Sequence, residues 1–393
     1  MDTERAALHV LMVLESTFPS PRGGGAEAQV RTLAKALRAR GQRVTVLTPL
    51  TASGPQRRIE RIDGVPVCRL AYPRLRWIGG PLLWLRLAMF LCLRRRRYDV
   101  WHVHIAHHLG AVCALLGRWL DTPVLVKVSG WWELEKGTLA PDAWPVARMA
   151  YHCLLRATAW QAISTRIASA LVKKGIPPSR IVAIPNAVDT RRFRAIAPAP
   201  GTGPRFVFVG RVVEEKGLGT LLEAFADILR AYPEASLRIV GGGPLESALK
   251  QRAAALGIDS RVDFAGHRED IETFLAEADF GVLPSRIEGL SNTLLEGMAA
   301  GLPMVASRVS GSEDLIRSGE NGWLFEPDDR AGLAACLAEA AKLTAAGRAA
   351  MSAKARETVE RHAGLDNVLD SLIQVYRNNR QTSMPALPAG RSS

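Results

Sequence analysis

The chain has 393 residues, 48% hydrophobic and 23% charged, long enough for two domains with their own cores and too apolar for a disordered protein. Five cysteines (Cys68, Cys92, Cys113, Cys153, Cys336) stand far apart with no C-x-x-C pair, which excludes a zinc finger or a disulfide framework and fits a reducing compartment. The net charge of +13 belongs to the first half: residues 1–188 hold 27 Lys and Arg against 11 acids, residues 189–393 hold 24 against 27.

The opening M-D-T-E-R carries acids ahead of a short apolar run and reads as the approach to a first buried strand, not as a signal peptide. From there short apolar runs alternate with amphipathic stretches, the mark of a parallel α/β sheet. Strands are expected at 9–14, 44–48, 65–70, 100–104, 124–128, 160–163 and 181–184. A helix is expected over 28–39, with Val30, Leu33, Ala34 and Leu37 on one face.

Residues 77–93 are almost wholly apolar, too short for a span, interrupted by Arg86 and followed by Arg94-Arg95-Arg96-Arg97. As a helix the stretch puts Leu82, Leu85, Met89 and Leu93 along one side, with Trp77 and Trp84 nearby. That make-up fits an interfacial helix on an anionic bilayer; the alternative is a buried crossover helix with basic residues at its last turn.

Residues 195–204 are rich in Pro, Ala and Gly without periodicity and read as a linker. A second alternating unit follows, with strands at 206–209, 237–240, 262–264, 280–283, 304–306 and 323–325. After Asp328 the chain is Ala-rich and helical to about residue 377. The expected domains are 1–194, on the acceptor side; 205–362, binding the donor; a helix over 363–380; and a tail over 381–393. In doubly wound units ligands bind beyond the carboxyl ends of the strands, here in the cleft between the halves.

The residues suited to chemistry fall on those strand ends. Gly210-Arg211 ends one strand and Lys216 opens the next helix, so both cations could meet one diphosphate. In Glu288-Gly289-Leu290-Ser291-Asn292-Thr293-Leu294-Leu295-Glu296 a Gly-rich turn runs into a helix. Its amides suit phosphate or sugar oxygens, and its two carboxylates, the second about two turns into the helix, suit vicinal hydroxyls. Gly242, in Gly241-Gly242-Gly243-Pro244, allows close approach of a ligand, and His267-Arg268 could receive a nucleotide base. In the first half Gly24 and Gly25 belong to a three-glycine turn. It is not G-x-G-x-x-G, so a nicotinamide cofactor is not expected. His102 and His104 share one side of a strand, and His104 is the candidate for touching the transferred sugar. No third ligand accompanies the His pair at a metal spacing.

In this order these stretches resemble glycosyltransferase family 4 over roughly residues 8 to 378. They comprise the glycine turn (23–25), D-x-x-H-x-H (99–104), P-N-x-x-D (185–189) and G-R-x-x-x-x-K-G (210–217). The G-x-G-P loop, E-G-x-x-N-x-x-L-E-G-M-A (288–299) and A-x-G-x-P (299–303) complete the set. The resemblance implies a GT-B fold, two Rossmann-like doubly wound domains facing a cleft, with the C-terminal helix crossing back to the first. It implies retaining, metal-independent transfer from a nucleotide-diphospho-sugar, with no cofactor.

On that resemblance Arg211 and Lys216 grip the diphosphate, Glu296 the ribose and Glu288 the donor hexose. Gly289, Leu290, Ser291 and Asn292 line the sugar and phosphates, and Gly24 and Gly25 close from the other domain. His104 lies near the reacting carbon. Two departures stand out: Lys127-Val128-Ser129-Gly130, followed by Trp131-Trp132-Glu133, where relatives carry T-x-H-G, and Ser310-Gly311-Ser312-Glu313-Asp314 where they carry G-G-x-x-E.

The expected function is hexosyl transfer to a lipid-linked saccharide in cell-surface polysaccharide assembly, by a bacterial cytoplasmic protein peripheral on the inner membrane. A soluble transferase making a small glycoside, or an epimerase or phosphorylase of the same architecture, are the alternatives. The apolar sequence beside the basic run argues against nucleic acid as the partner of the positive face.

Overall fold

The structure is a computed structural model that describes residues 7–19, 24–51, 56–140, 144–194 and 203–383. The first unit is built from β1 (His9–Val13), α1 (Gly25–Ala39), β2 (Arg43–Pro49), β3 (Ile59–Ile62), β4 (Val65–Leu70) and α2 (Gly79–Leu93). It continues with β5 (Val100–Val103), α3 (His108–Trp119), β6 (Val124–Val128), α4 (Trp132–Glu135), α5 (Pro145–Leu154), β7 (Ala159–Ala162), α6 (Thr165–Lys173) and β8 (Ile181–Ala183). The eight strands form one sheet in the order β3-β4-β2-β1-β5-β6-β7-β8, parallel except for the β3–β4 hairpin.

Every residue of β1, β5 and β6 is buried, as expected for strands covered on both faces by helices. Helix α1 buries Val30, Leu33, Ala34 and Leu37, the face its periodicity predicts. Strand β3 was not among the expected strands. It pairs with β4 through Asp63-Gly64, both at positive φ (48° and 76°), and this Asp-Gly turn is the signal that marks the hairpin in the sequence.

The second unit contains β9 (Arg205–Val209), α7 (Leu218–Leu229), β10 (Ser236–Val240), α8 (Glu246–Ala255), β11 (Val262–Gly266), α9 (Ile271–Glu277) and β12 (Phe280–Leu283). After these come α10 (Asn292–Ala299), β13 (Met304–Ser307), α11 (Ser312–Leu315), β14 (Gly322–Phe325), α12 (Arg330–Ala341) and α13 (Ala345–Ala363), and the chain ends its described part in α14 (Leu365–Ser383), most of which belongs with the first unit. The six parallel strands of the second unit run β11-β10-β9-β12-β13-β14. Phe206 stacks on Phe280 with ring centroids 5.5 Å apart, and Phe225 and Trp323 pack edge-on around them.

The boundary between units falls earlier than composition suggests. Residues from Pro185 to Asn367 group with the second unit, and Val368 onward returns to the first. Arg356 explains part of the shift, since its guanidinium donates to the carbonyls of Thr190 and Phe193 and so fastens that segment. The linker expected at 195–204 lies mostly outside the described residues. In α14, Val368, Leu369, Leu372 and Tyr376 are buried in the first unit, so the returning helix is present. Among the described residues no helix is long and apolar enough to cross a membrane.

Candidate active site

In the second unit the loops after β9 and β12 are locked together by one glycine. Gly217 adopts φ 64°, and a Cβ there would stand 2.1 Å from the Pro284 carbonyl oxygen. Only glycine permits both the left-handed backbone and the close approach. The Arg286 amide also donates to the Glu215 carbonyl at 2.8 Å.

As a result Lys216 Nζ donates to Glu288 Oε1, which also accepts the Ser285 hydroxyl at 2.8 Å. Lys216 and Glu288, 72 residues apart, thus form one partly buried ion pair. Arg211, beyond the tip of β9, is exposed. The structure brings Lys216 and Glu288 together; among the described residues Arg211 makes no hydrogen bond or ion pair with either.

The loop Gly289–Ser291 is buried and leads into α10. Asn186 holds it from outside, its amide donating to the Leu290 carbonyl and to Asn292 Oδ1, each at 3.0 Å. The Ser310 hydroxyl donates to the Gly289 carbonyl at 2.9 Å and lies 2.7 Å from the Ser164 hydroxyl. Gly311 takes φ 82°, and a Cβ there would meet Gly289 O at 2.8 Å, so glycine is required on both counts. The departure at 310–314 therefore braces this loop. Because α10 starts at Asn292, Glu296 is its fifth residue, little more than one turn in and not two. Burial pushes its carboxyl up to about 7, against the pull of Arg192.

The glycine-rich loop after β10 divides into two roles. A Cβ on Gly241 or Gly243 would run into the carbonyl oxygens of Gly210 (1.8 Å) and Val212 (2.2 Å), so these glycines serve backbone packing. Gly242 is open, with His267 Cβ the nearest atom at 3.8 Å from its ideal Cβ. His267 and Arg268 are exposed, and Arg268 makes a two-pronged contact with Asp270 at 3.0 Å.

The first unit gathers a different set at the carboxyl ends of β1, β5 and β6. His102 is a core residue: its Nε2 faces Gln161 Oε1 at 3.1 Å and its Nδ1 faces the Tyr376 hydroxyl at 2.7 Å. The Gln161 amide donates to the Ile184 carbonyl, which leaves its oxygen to accept from His102 Nε2–H, while Nδ1 accepts from Tyr376. Burial holds the His102 ring down to about 3.

His104 does not stand at an open strand tip as expected. Strand β5 ends at Val103, and the His104 ring is fully buried at 4.1 Å from the His102 ring. Neither of its nitrogens finds a partner among the described residues, and burial pushes the ring well below its usual value. An enclosed ring cannot meet a sugar in this conformation.

The half-buried rings at this edge are His107 and His108, which were not singled out in the sequence although they lie just past the D-x-x-H-x-H run, after Ile105 and Ala106. His107 Nδ1 lies 3.0 Å from Glu15 Oε1, and Glu15 Oε2 accepts the Leu109 amide at 2.7 Å. The Glu15 hydrogen bond raises the His107 ring above its ordinary value. Glu133 is fully buried and accepts three backbone amides, from Ala106 (2.6 Å), Ser129 (2.7 Å) and Gly130 (2.9 Å). Burial pushes Glu133 up to about 7 and Lys127 down to about 7. The Lys127–Glu133 departure thus organises the loops after β5 and β6 from within.

Gly24 caps α1 with extended backbone, and Gly25 is the helix's first residue; Gly23, the rest of the glycine turn, lies outside the described residues. Among the described residues no three His, Cys, Asp or Glu side chains gather as around a metal ion.

Two doubly wound units with loop sites at the carboxyl ends of their strands are the architecture of the GT-B fold. Residues 23–192 match the family model described as Glycosyltransferase Family 4, and residues 203–343 the model described as Glycosyl transferases group 1. The chain thus carries a glycosyltransferase family 4 domain in its first half and a group 1 glycosyltransferase domain in its second.

It is 38% identical over 144 residues to the lipopolysaccharide core biosynthesis glycosyltransferase LpsE of Rhizobium meliloti, a match covering 37% of this chain and 41% of that one. It is 28% identical to a glycogen synthase of Mycobacterium tuberculosis over 97% of this chain and 98% of that one. Among solved structures, Anabaena Alr3699/HepE in complex with UDP superposes with a TM-score of 0.77 at 19% identity, covering 94% of this chain and 100% of that one.

Proposed function

We propose that the protein transfers a hexose-type sugar, with retained anomeric configuration, from a nucleotide-diphospho-sugar to a hydroxyl of a lipid-linked saccharide at a membrane surface. The observation that carries this reading is the Lys216–Glu288 pair beside the loop that opens α10. A cation held by a carboxylate and a run of helix-start amides make a site for the diphosphate of the donor.

In this reading Lys216 and Arg211 meet the negative charge that grows on the departing diphosphate, and no metal ion takes part. Glu288 and the amides of Gly289, Leu290, Ser291 and Asn292 hold the hexose, and Glu296 the ribose. Gly210, Gly242, His267 and Arg268 line the nucleotide, and Gly24 and Gly25 the phosphates. The acceptor hydroxyl attacks the face from which the diphosphate leaves, since no protein nucleophile is assigned at the reacting carbon. His104 would contribute only if its enclosure opened.

The solved relative bound to UDP supports a UDP-sugar as donor, and the lipopolysaccharide core relative supports an envelope saccharide as acceptor. The end-to-end match to a glycogen synthase favours a second reading, a soluble transferase acting on a free glycan. A thermal-shift panel of UDP-, GDP- and ADP-sugars, with and without EDTA, tests the donor, because a bound donor stabilises the fold by mass action. No shift with any of them would overturn the donor assignment, and a product of inverted configuration would overturn retention.

A further inference from the structure

Helix α2 is apolar on both sides, and among the described residues only one side is covered. Leu83, Leu87, Phe90 and Leu91 face inward and are buried. Leu85, Met89 and Leu93 recur every four residues on the outside and are exposed, Leu93 at 80%. The stripe continues past the start of the helix through Trp77, exposed at 83%, and Ile78. Helix α3 packs against α2, and α5 against α3, so the three form one layer. On that layer Trp119 is exposed at 78% and Trp144 at 83%, with Val146 and Met149 beside Trp144. Single exposed apolar residues are ordinary, but a helix-long stripe with three exposed tryptophans on the same layer is a docking surface.

The arginines state what it docks to. Arg74 and Arg76 precede the stripe, Arg86 interrupts it, Arg94–Arg97 end it and Arg148 lies beside Met149, all exposed. Acids are missing from this stretch: between Asp63 and Asp99 there is no Asp or Glu. A protein partner covering so many guanidinium groups would need a matching acidic face, and a second copy of this chain would bring the same positive charge. A bilayer with anionic headgroups supplies apolar depth and negative phosphates at once, with the arginine stems lying along the interface.

We propose that the α2–α3–α5 layer is the membrane-binding surface of this protein. Helix α2 lies in the headgroup plane with Leu85, Met89 and Leu93 inserted, Trp77 and Trp144 seated at the interface, and the arginines on lipid phosphates. This gives a location to the membrane contact in the function proposed above and rests on that reading for its purpose.

The test needs no sugar substrate. The full-length protein is sedimented with vesicles of phosphatidylcholine alone and with 30% phosphatidylglycerol, beside the variants Leu85→Ser/Met89→Ser/Leu93→Ser and Arg94–Arg97→Glu. Thermal unfolding of each variant checks that it folds, as expected for exposed positions. The expected result is binding to the anionic vesicles that weakens with salt and falls by roughly tenfold or more in each variant. Recovery of the wild type in the supernatant with both vesicles would overturn the proposal. So would equal binding by the folded variants, or a wild-type dimer that the serine variant disperses without any vesicle binding. Vesicle binding with no response in the nucleotide-sugar panel would leave this surface standing and remove the donor reading, so the two fail separately.

Discussion

The carboxyl-end loops of the two sheets solve different problems. In the second unit the candidate groups range from exposed Arg211 through the partly buried Lys216–Glu288 pair to Glu296 and are placed by backbone: Gly217 lets two loops touch, and Asn186 and Ser310 hold the 289–292 turn by its carbonyls. In the first unit the ionisable groups themselves are buried, and one carboxylate, Glu133, gathers three loop amides. Charge in the second unit, in the Lys216–Glu288 pair, is only partly buried. In the first it is mostly consumed in holding the loops, with the Glu15–His107 pair the part that reaches outward.

Substitutions at matched positions should break that contrast if it is wrong. Glu133→Ala strands three buried amides and should cost about 3–5 kcal/mol of stability in denaturant unfolding. A loss below about 1 kcal/mol would mean that solvent or a neighbour replaces the carboxylate. Lys216→Ala should leave the fold intact but raise the transfer barrier by about 2–4 kcal/mol, seen as a fall in kcat/KM with the donor the panel identifies. Unchanged turnover would remove Lys216 from the diphosphate site.

Glu296 sharpens the comparison through pH. Its folded value of about 7 lies above the usual 4.5, so the protonated form is favoured in the folded state. The associated stability is fully present below about 4.5 and is lost as pH rises to about 7. Unfolding midpoints of ligand-free protein should therefore fall across that window, and Glu296→Gln should flatten the slope attributable to this group. A ribose held by the ionised carboxylate would make donor affinity rise over the same range.

The smallest effect belongs to His107. Glu15 raises its ring above 6.5, so the stability from this pair is present below 6.5 and disappears as pH rises through the folded value. Both groups are partly exposed, and Glu15→Gln should cost about 1 kcal/mol or less near pH 6 and less still near pH 9, where only the Leu109 amide contact is at stake. Chemical-shift titration of the His107 ring in both proteins reads the shift directly.

Much of the fold was legible because buried parallel strands are continuous apolar runs. Strands β4, β6 and β12 match their expected limits, and α1 buries the face its spacing names. The motif residues of the second unit were legible for a related reason: glycine, lysine and glutamate at fixed offsets mark turns and helix starts. Strand β3 was missed because its residues alternate exposed and half-buried, leaving only the Asp63-Gly64 turn as a sign. His104 was misplaced because spacing shows which side of a strand a residue occupies and not how deeply it lies.

The sequence alone determined the alternation of elements, the family and the short list of charged residues beside strand ends, since all of these are local patterns. Tertiary structure decided which of those residues meet and which are sealed away. It paired Lys216 with Glu288 across 72 residues, enclosed His104, tied His107 to Glu15 and left Leu85, Met89 and Leu93 of α2 exposed. Burial and pairing depend on what other segments bring to the same place, and no local stretch of sequence records that.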